Sequence, residues 1–132
     1  ALATLAASRD ADVQGLYTYG SPRVGDLDFK NNFKERAYRF VNNNDLVAKV
    51  PPGKMYSHVG KLKYIDDQGS IYDSLERGER WTEEIQDQFK NIVNAIGQSA
   101  NGFTEVLLQP VIDHVPIRYA IHIWNNIPQV GR

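Results

Sequence analysis

The stretch at 39–52, Arg39-Phe40-Val41-Asn42-Asn43-Asn44-Asp45-Leu46-Val47-Ala48-Lys49-Val50-Pro51-Pro52, runs from an apolar segment through three asparagines to a single acid. It stops on two prolines. Asn and Asp side chains bond nearby backbone N–H groups, so a strand ending on such a cluster is giving way to a turn. Asp45 is then either turn punctuation or a carboxylate that the strand end holds in a site. The stretch alone favours the turn.

Working outward, 13–19 (VQGLYTY) has the apolar, aromatic composition of a short strand, closed by Gly20-Ser21-Pro22. Residues 26–37 carry Leu27, Phe29 and Phe33 among charges, a surface helix with one apolar stripe. A second strand at 38–42 leads into the opening stretch. Residues 61–66 (KLKYID) alternate like a strand, and Asp67-Gln68-Gly69 turns them into a partner at 70–73. Ile85, Phe89, Ile92, Val93 and Ile96 recur at helical spacing over 83–99, Asn101-Gly102 breaks the chain, and a last helix is expected over 115–125. The order is α/β, with helices crossing between parallel strands. In such sheets function gathers at the carboxyl ends of strands, which points to 20–26, 42–52 and Asp113-His114.

The composition narrows the chemistry. The 132 residues are 42% hydrophobic and 23% charged with a net charge of -1, which suits one globular unit and gives no support to nucleic-acid binding. Without cysteine there is no disulfide, no thiolate nucleophile and no cysteine-ligated zinc. No Ser, Thr, Asp or Asn precedes the opening helix, ALATLAAS, to cap its orphan N–H groups. It is either a frayed terminus or the continuation of something longer.

Three histidines are available: His58, His114 and His122. A histidine acting as general base needs a carboxylate to fix its tautomer and steady the imidazolium. His114 precedes a helix with Pro116 in its first turn, so it stands in a loop where a base can be presented. Asp113, its neighbour, suits a helix cap better than the orienting acid, because adjacent side chains point apart. His122 falls in an apolar helical stripe and is expected to pack. His58 is expected to be structural, and the three histidines match no metal-site spacing.

With Asp45 and His114 as candidates, a nucleophile is missing. Ser21 follows a strand and would give the order Ser…Asp…His, but its context is Gly20-Ser21-Pro22-Arg23, not Gly-x-Ser-x-Gly. The residue after the nucleophile donates its N–H to the oxyanion, and Pro22 has none. Ser21 is therefore read as a turn residue, and Ser8, Ser57, Ser70, Ser74 and Ser99 have no elbow context either.

In order along the chain, ALATLAAS, LYTYGSPRVGD, RFVNNNDLVAKVPP, YSHVGKLKYID and DHVPIRYAIHIW closely resemble the class 3 lipases of the α/β-hydrolase fold. The segment 72–110 is the least family-like. In that family the alanine-rich helix directly follows a Gly-His-Ser-Leu-Gly-Gly elbow bearing the nucleophilic serine. The resemblance implies that residues 1–132 form the carboxyl-terminal part of a single α/β-hydrolase domain, with mostly parallel sheet and flanking helices. It places the serine, the oxyanion donors and the first half of the sheet in a preceding segment, which becomes a required partner. By the same resemblance Asp45 matches the triad acid and His114 the triad base, while His58 matches a frequent position outside the triad. The implied activity is hydrolysis of an ester or acylglycerol substrate at a lipid interface, without cofactor or metal. The rival reading is a non-catalytic binding module that keeps the hydrolase frame. A half sheet also implies an open strand edge and an uncovered apolar face.

Overall fold

A computed structural model describes residues 1–10, 12–43, 45–51, 53, 55–73 and 112–128. The helix expected over 83–99 and the break at Asn101-Gly102 lie outside them. Chain order is α1 (Leu2–Ala7), β1 (Leu16–Tyr19), α2 (Leu27–Asn32), β2 (Ala37–Asn42), a 3₁₀ turn (Val47–Lys49), β3 (Lys61–Ile65), β4 (Ile71–Tyr72) and α3 (Pro116–Asn126). The strands form one sheet in the order β1-β2-β3-β4. β1 and β2 are parallel, β2 and β3 are parallel, and β4 folds back antiparallel on β3. The mostly parallel sheet with helices is the α/β architecture expected from the order of elements.

Local chemistry sets the boundaries, which differ from the expected ones. β1 begins at Leu16, not Val13, because pairing starts where the Leu16 N–H meets the Arg36 carbonyl at 2.8 Å. In α2, Asp26 lies outside the helix as its cap, accepting the Phe29 N–H at 2.8 Å. The helix stops at Asn32, short of the expected Ala37, because Phe33 turns extended and packs on the core of Ala7, Leu16 and Ala37. β3 ends at Ile65 because Asp66 starts the turn, its Oδ1 accepting from the N–H groups of Gln68 and Ser70 at 3.0 and 2.8 Å. α3 starts at Pro116, whose missing N–H suits a first helical position. Its cap is Val115 without a side-chain bond, so Asp113 is not the cap that its position suggested. α1 likewise begins without a side-chain cap.

Packing draws these elements toward one end of the sheet. Tyr17 stacks on Tyr38 and Tyr19 on Phe40, with ring centroids 5.5 and 5.1 Å apart, so aromatic pairs cross from β1 to β2. Tyr119 of α3 meets Tyr19 edge-on at 6.0 Å. The far end of α3 is tied to the β3–β4 turn by Asn126, which donates to the Gly69 carbonyl at 2.7 Å. His122 lies against Gly69, in keeping with a packing role. Among the described residues β1 is a sheet edge, and Leu2, Tyr17, Ile117 and Trp124 are exposed. No helix among them is long and apolar enough to cross a membrane.

Gly60 permits the crossover into β3. Its φ is +87°, and a Cβ there would stand 2.9 Å from the Ala37 Cβ and 3.0 Å from the Ala37 backbone. Gly60→Ala is expected to lower unfolding free energy by about 1–3 kcal/mol, the range for a strained left-handed residue. Denaturant melts of the complete natural protein check this, and an unchanged midpoint contradicts it.

Candidate functional site

β2 delivers the stretch that ends in Asp45. Asn42 closes the strand, Asn43 turns with φ +37°, and the Asp45 N–H donates back to the Asn42 carbonyl at 2.8 Å. Beyond it the 3₁₀ turn begins, and Asp45 Oδ1 accepts from the N–H groups of Val47 at 2.8 Å and Ala48 at 3.3 Å. Arg23, from the segment after β1, binds the exit of this loop. Its Nη1 donates to the carbonyls of Lys49 and, at 2.8 Å, Pro51, while its own N–H reaches the Val50 carbonyl. The turn is thus fastened to the neighbouring strand end, and its carboxylate is held at 0% exposure.

Across a separation of 69 residues, His114 meets this carboxylate. Its Nδ1 stands 3.1 Å from Asp45 Oδ1 and 3.0 Å from Oδ2. An ionised carboxylate only accepts, so Nδ1 carries the proton and neutral His114 presents Nε2 as a lone pair. The His114 side chain is 38% exposed, and its hydrogen bonds among the described residues both run through Nδ1. A buried acid behind an accessible imidazole is the arrangement in which a histidine can accept and return a proton. Asp45 is thereby both things its sequence allowed: a turn-maker through Oδ1 and the partner of a histidine through both oxygens.

Gly20 closes the site from the end of β1. With φ +63°, it lies so near the pair that a Cβ would fall 2.4 Å from Asp45 Oδ2 and 2.7 Å from His114 Nδ1. Residues without side-chain bulk are required at such an approach. From α3, buried Tyr119 donates its hydroxyl to Asp45 Oδ2 at 2.5 Å and accepts the Asn42 N–H at 2.9 Å. Burial, then the bond to Asp45, holds the Tyr119 phenol well above its ordinary range, so it stays a donor. Asn42 also donates its side-chain Nδ2 to the Asp113 carbonyl at 2.9 Å, which anchors the segment carrying His114. A small apolar cleft beside His114 is lined by Tyr19, Pro116, Tyr119, Ala120 and Ile123.

The other candidates fall outside this cluster. Ser21 Oγ donates to the Pro22 carbonyl at 3.2 Å, the bond of a turn residue. Among the described residues no group of His, Asp and Glu could hold a metal ion. His58 is half-buried, and desolvation with the charges of Arg39 and Arg23 lowers its pKa to about 3 despite a backbone hydrogen bond at Ala48. Lys49, which is buried, is lowered to about 8 by desolvation, with Asp45 and Asp113 drawing it up.

Comparison with known proteins bears on the first part of this site. Residues 1–55 match the family described as Lipase (class 3). Over these residues the chain is similar to the class 3 lipases. It is 37% identical over 59 residues to Phospholipase A1-II 5 of Oryza sativa subsp. indica, covering 41% of this chain and 13% of that protein. It is 34% identical over 77 residues to the chloroplastic Phospholipase A1-Igamma1 of Arabidopsis thaliana, covering 42% and 15%. Against Toxin TseL of Vibrio cholerae it is 42% identical over 53 residues, covering 39% and 8%. The chain thus spans at most 15% of the length of these three relatives. No solved structure matches.

The class 3 lipase match takes in Gly20, Asn42 and Asp45, whereas His114 and Tyr119 lie beyond it and join through the fold. Sequence reading missed Gly20, Asn42 and Tyr119. Tyr119 had a usable signal: a tyrosine on the buried side of a helix needs a partner for its hydroxyl. Gly20 had none beyond a turn.

The depressed His58 pKa carries a sign. Its unfolded value is 6.5 and its folded value about 3, so between them the unfolded chain binds the extra proton. Its contribution is present above pH 6.5 and is lost as pH falls toward 3, at up to about 1.4 kcal/mol per pH unit. Chemical unfolding of the complete protein at pH 7, 5 and 4 is expected to show a shallower acid loss in His58→Gln than in wild type. Parallel curves contradict this.

Proposed function

We propose that the complete protein is a carboxylic ester hydrolase working through a Ser-His-Asp triad in which Asp45 is the acid and His114 the base. The observation that carries the reading is the pairing of His114 Nδ1 with a fully buried Asp45 carboxylate, which leaves Nε2 for proton transfer. The class 3 lipase sequence of residues 1–55 supports the same reaction. Two relatives are named phospholipases A1, so the substrate proposed is the acyl ester of a glycerolipid, met at a lipid interface.

The nucleophilic serine and its oxyanion donors are assigned to a segment outside residues 1–132, which then form the carboxyl-terminal part of an α/β-hydrolase domain. His114 Nε2 takes the serine hydroxyl proton as the oxygen attacks the ester carbonyl, and a tetrahedral oxyanion forms. Collapse expels the alcohol, which receives that proton from His114 and leaves an acyl-serine. Water then loses a proton to His114, attacks the acyl carbon and releases the carboxylic acid as the serine oxygen takes the proton back. Asp45 keeps the imidazole in the Nδ1–H tautomer and stabilises its charged form throughout.

In the complete protein, His114→Ala and Asp45→Asn are each expected to lower kcat on short p-nitrophenyl esters by roughly 10³–10⁴-fold. Near-normal turnover in either variant sinks the assignment. Inactivity of the folded wild-type protein toward every acyl ester tried favours the binding-module reading.

Residues 1–132 alone are expected to show no esterase activity. A serine-directed phosphonate is expected to label the complete protein outside this chain, and a label on Ser21 overturns that assignment.

A further inference from the structure

The Tyr119 hydroxyl has its hydrogen-bond direction fixed by its neighbours. A backbone N–H can only donate, so the Asn42 N–H, 2.9 Å away, occupies a lone pair of the phenol oxygen. The single hydroxyl proton must then go to Asp45 Oδ2 at 2.5 Å. Donation from Asn42 polarises the O–H and strengthens what it gives to the carboxylate. Oδ2 also lies 3.0 Å from His114 Nδ1, so phenol and imidazole share one oxygen atom. Oδ1 is already held by Val47 and Ala48, and the two sets of donors together define the plane of the carboxylate.

We propose that Tyr119 is a positioning residue whose hydroxyl fixes the plane of Asp45 and moderates the charge that Asp45 presents to His114. Its kinetic consequence rests on the ester-hydrolase reading; its effect on His114 does not. A donor bonded to a carboxylate spreads its charge and lowers its basicity. Removing that donor leaves a more basic Asp45 that holds the protonated imidazole more firmly. Among the described residues the other groups around the pair are Tyr19 of β1 and the Gly20 backbone that follows it, Asp113 on the segment of His114, and Lys49, whose charge couples to Asp45 and Asp113. Arg39 of β2 couples to Tyr119. None of these is altered by a change confined to the phenol oxygen.

The test uses the complete natural protein with ¹³Cε1-labelled histidine and follows the His114 resonance against pH. Tyr119→Phe is expected to raise the His114 titration midpoint by roughly half to one pH unit. Site-specific 3,5-difluorotyrosine at position 119 keeps the bond but makes a stronger donor, and it is expected to lower the midpoint. The phenol is buried and its ordinary pKa strongly raised, so the fluorinated ring keeps its proton at neutral pH. The acidic limb of kcat/KM is expected to follow both shifts, with KM for short p-nitrophenyl esters within about twofold of wild type.

Opposite movements in the two proteins are what a purely space-filling tyrosine does not produce. Unchanged midpoints, or movement in one direction in both, overturn the proposal. If Tyr119→Phe does not fold, the fluorinated protein decides alone, and an unmoved midpoint there overturns it. Opposed NMR shifts in a protein that hydrolyses no ester uphold the role of Tyr119 while rejecting the ester-hydrolase reading.

Discussion

A carboxylate that is wholly out of water needs replacement donors, since an ionised group moved into low dielectric is strongly disfavoured unless it is paired and hydrogen-bonded. Asp45 meets that requirement from three directions. Backbone N–H groups of the 3₁₀ turn serve Oδ1, the Tyr119 hydroxyl serves Oδ2, and His114 Nδ1 reaches both. Each donor belongs to a different part of the chain. The strand-end turn, the loop before α3 and α3 itself must all be in place before the charge is tolerable. The demand of one buried anion thus organises the carboxyl end of the sheet.

The same demand explains features that look unrelated. Asn42 is buried because it serves the site twice, through its backbone N–H to Tyr119 and through its side chain to the Asp113 carbonyl. Gly20 lacks a side chain because the imidazole and carboxylate fill the space a Cβ needs. Arg23 ties the exit of the Asp45 loop to the end of β1, so the turn is fixed on both sides. These are packing and hydrogen-bond statements, yet their combined effect is chemical: an imidazole with one nitrogen committed and, among the described residues, the other open.

Much of this was legible in the residues. β2, β3 and α3 lie within a residue of where the sequence put them while α2 ends five residues early, and Asp45 and His114 stood out as an acid at a strand end and a histidine before a helix. Boundaries slipped where a side chain had a tertiary errand, as Phe33 did in leaving α2 for the core. Asp113 was misread as a cap because α3 begins with proline, which needs no donor satisfied there. Tyr119 and Gly20 escaped notice for a common reason. Their roles depend on what lies across the site, and no local pattern encodes an approach between residues separated by 25 to 94 positions in the chain.

That long separation has its own consequence. Residues 45 and 114 are joined by a contact spanning 69 positions, and β4 ends at Tyr72 while α3 opens at Pro116. The acid meets its histidine only when two stretches of chain far apart in sequence have been brought to one end of the sheet.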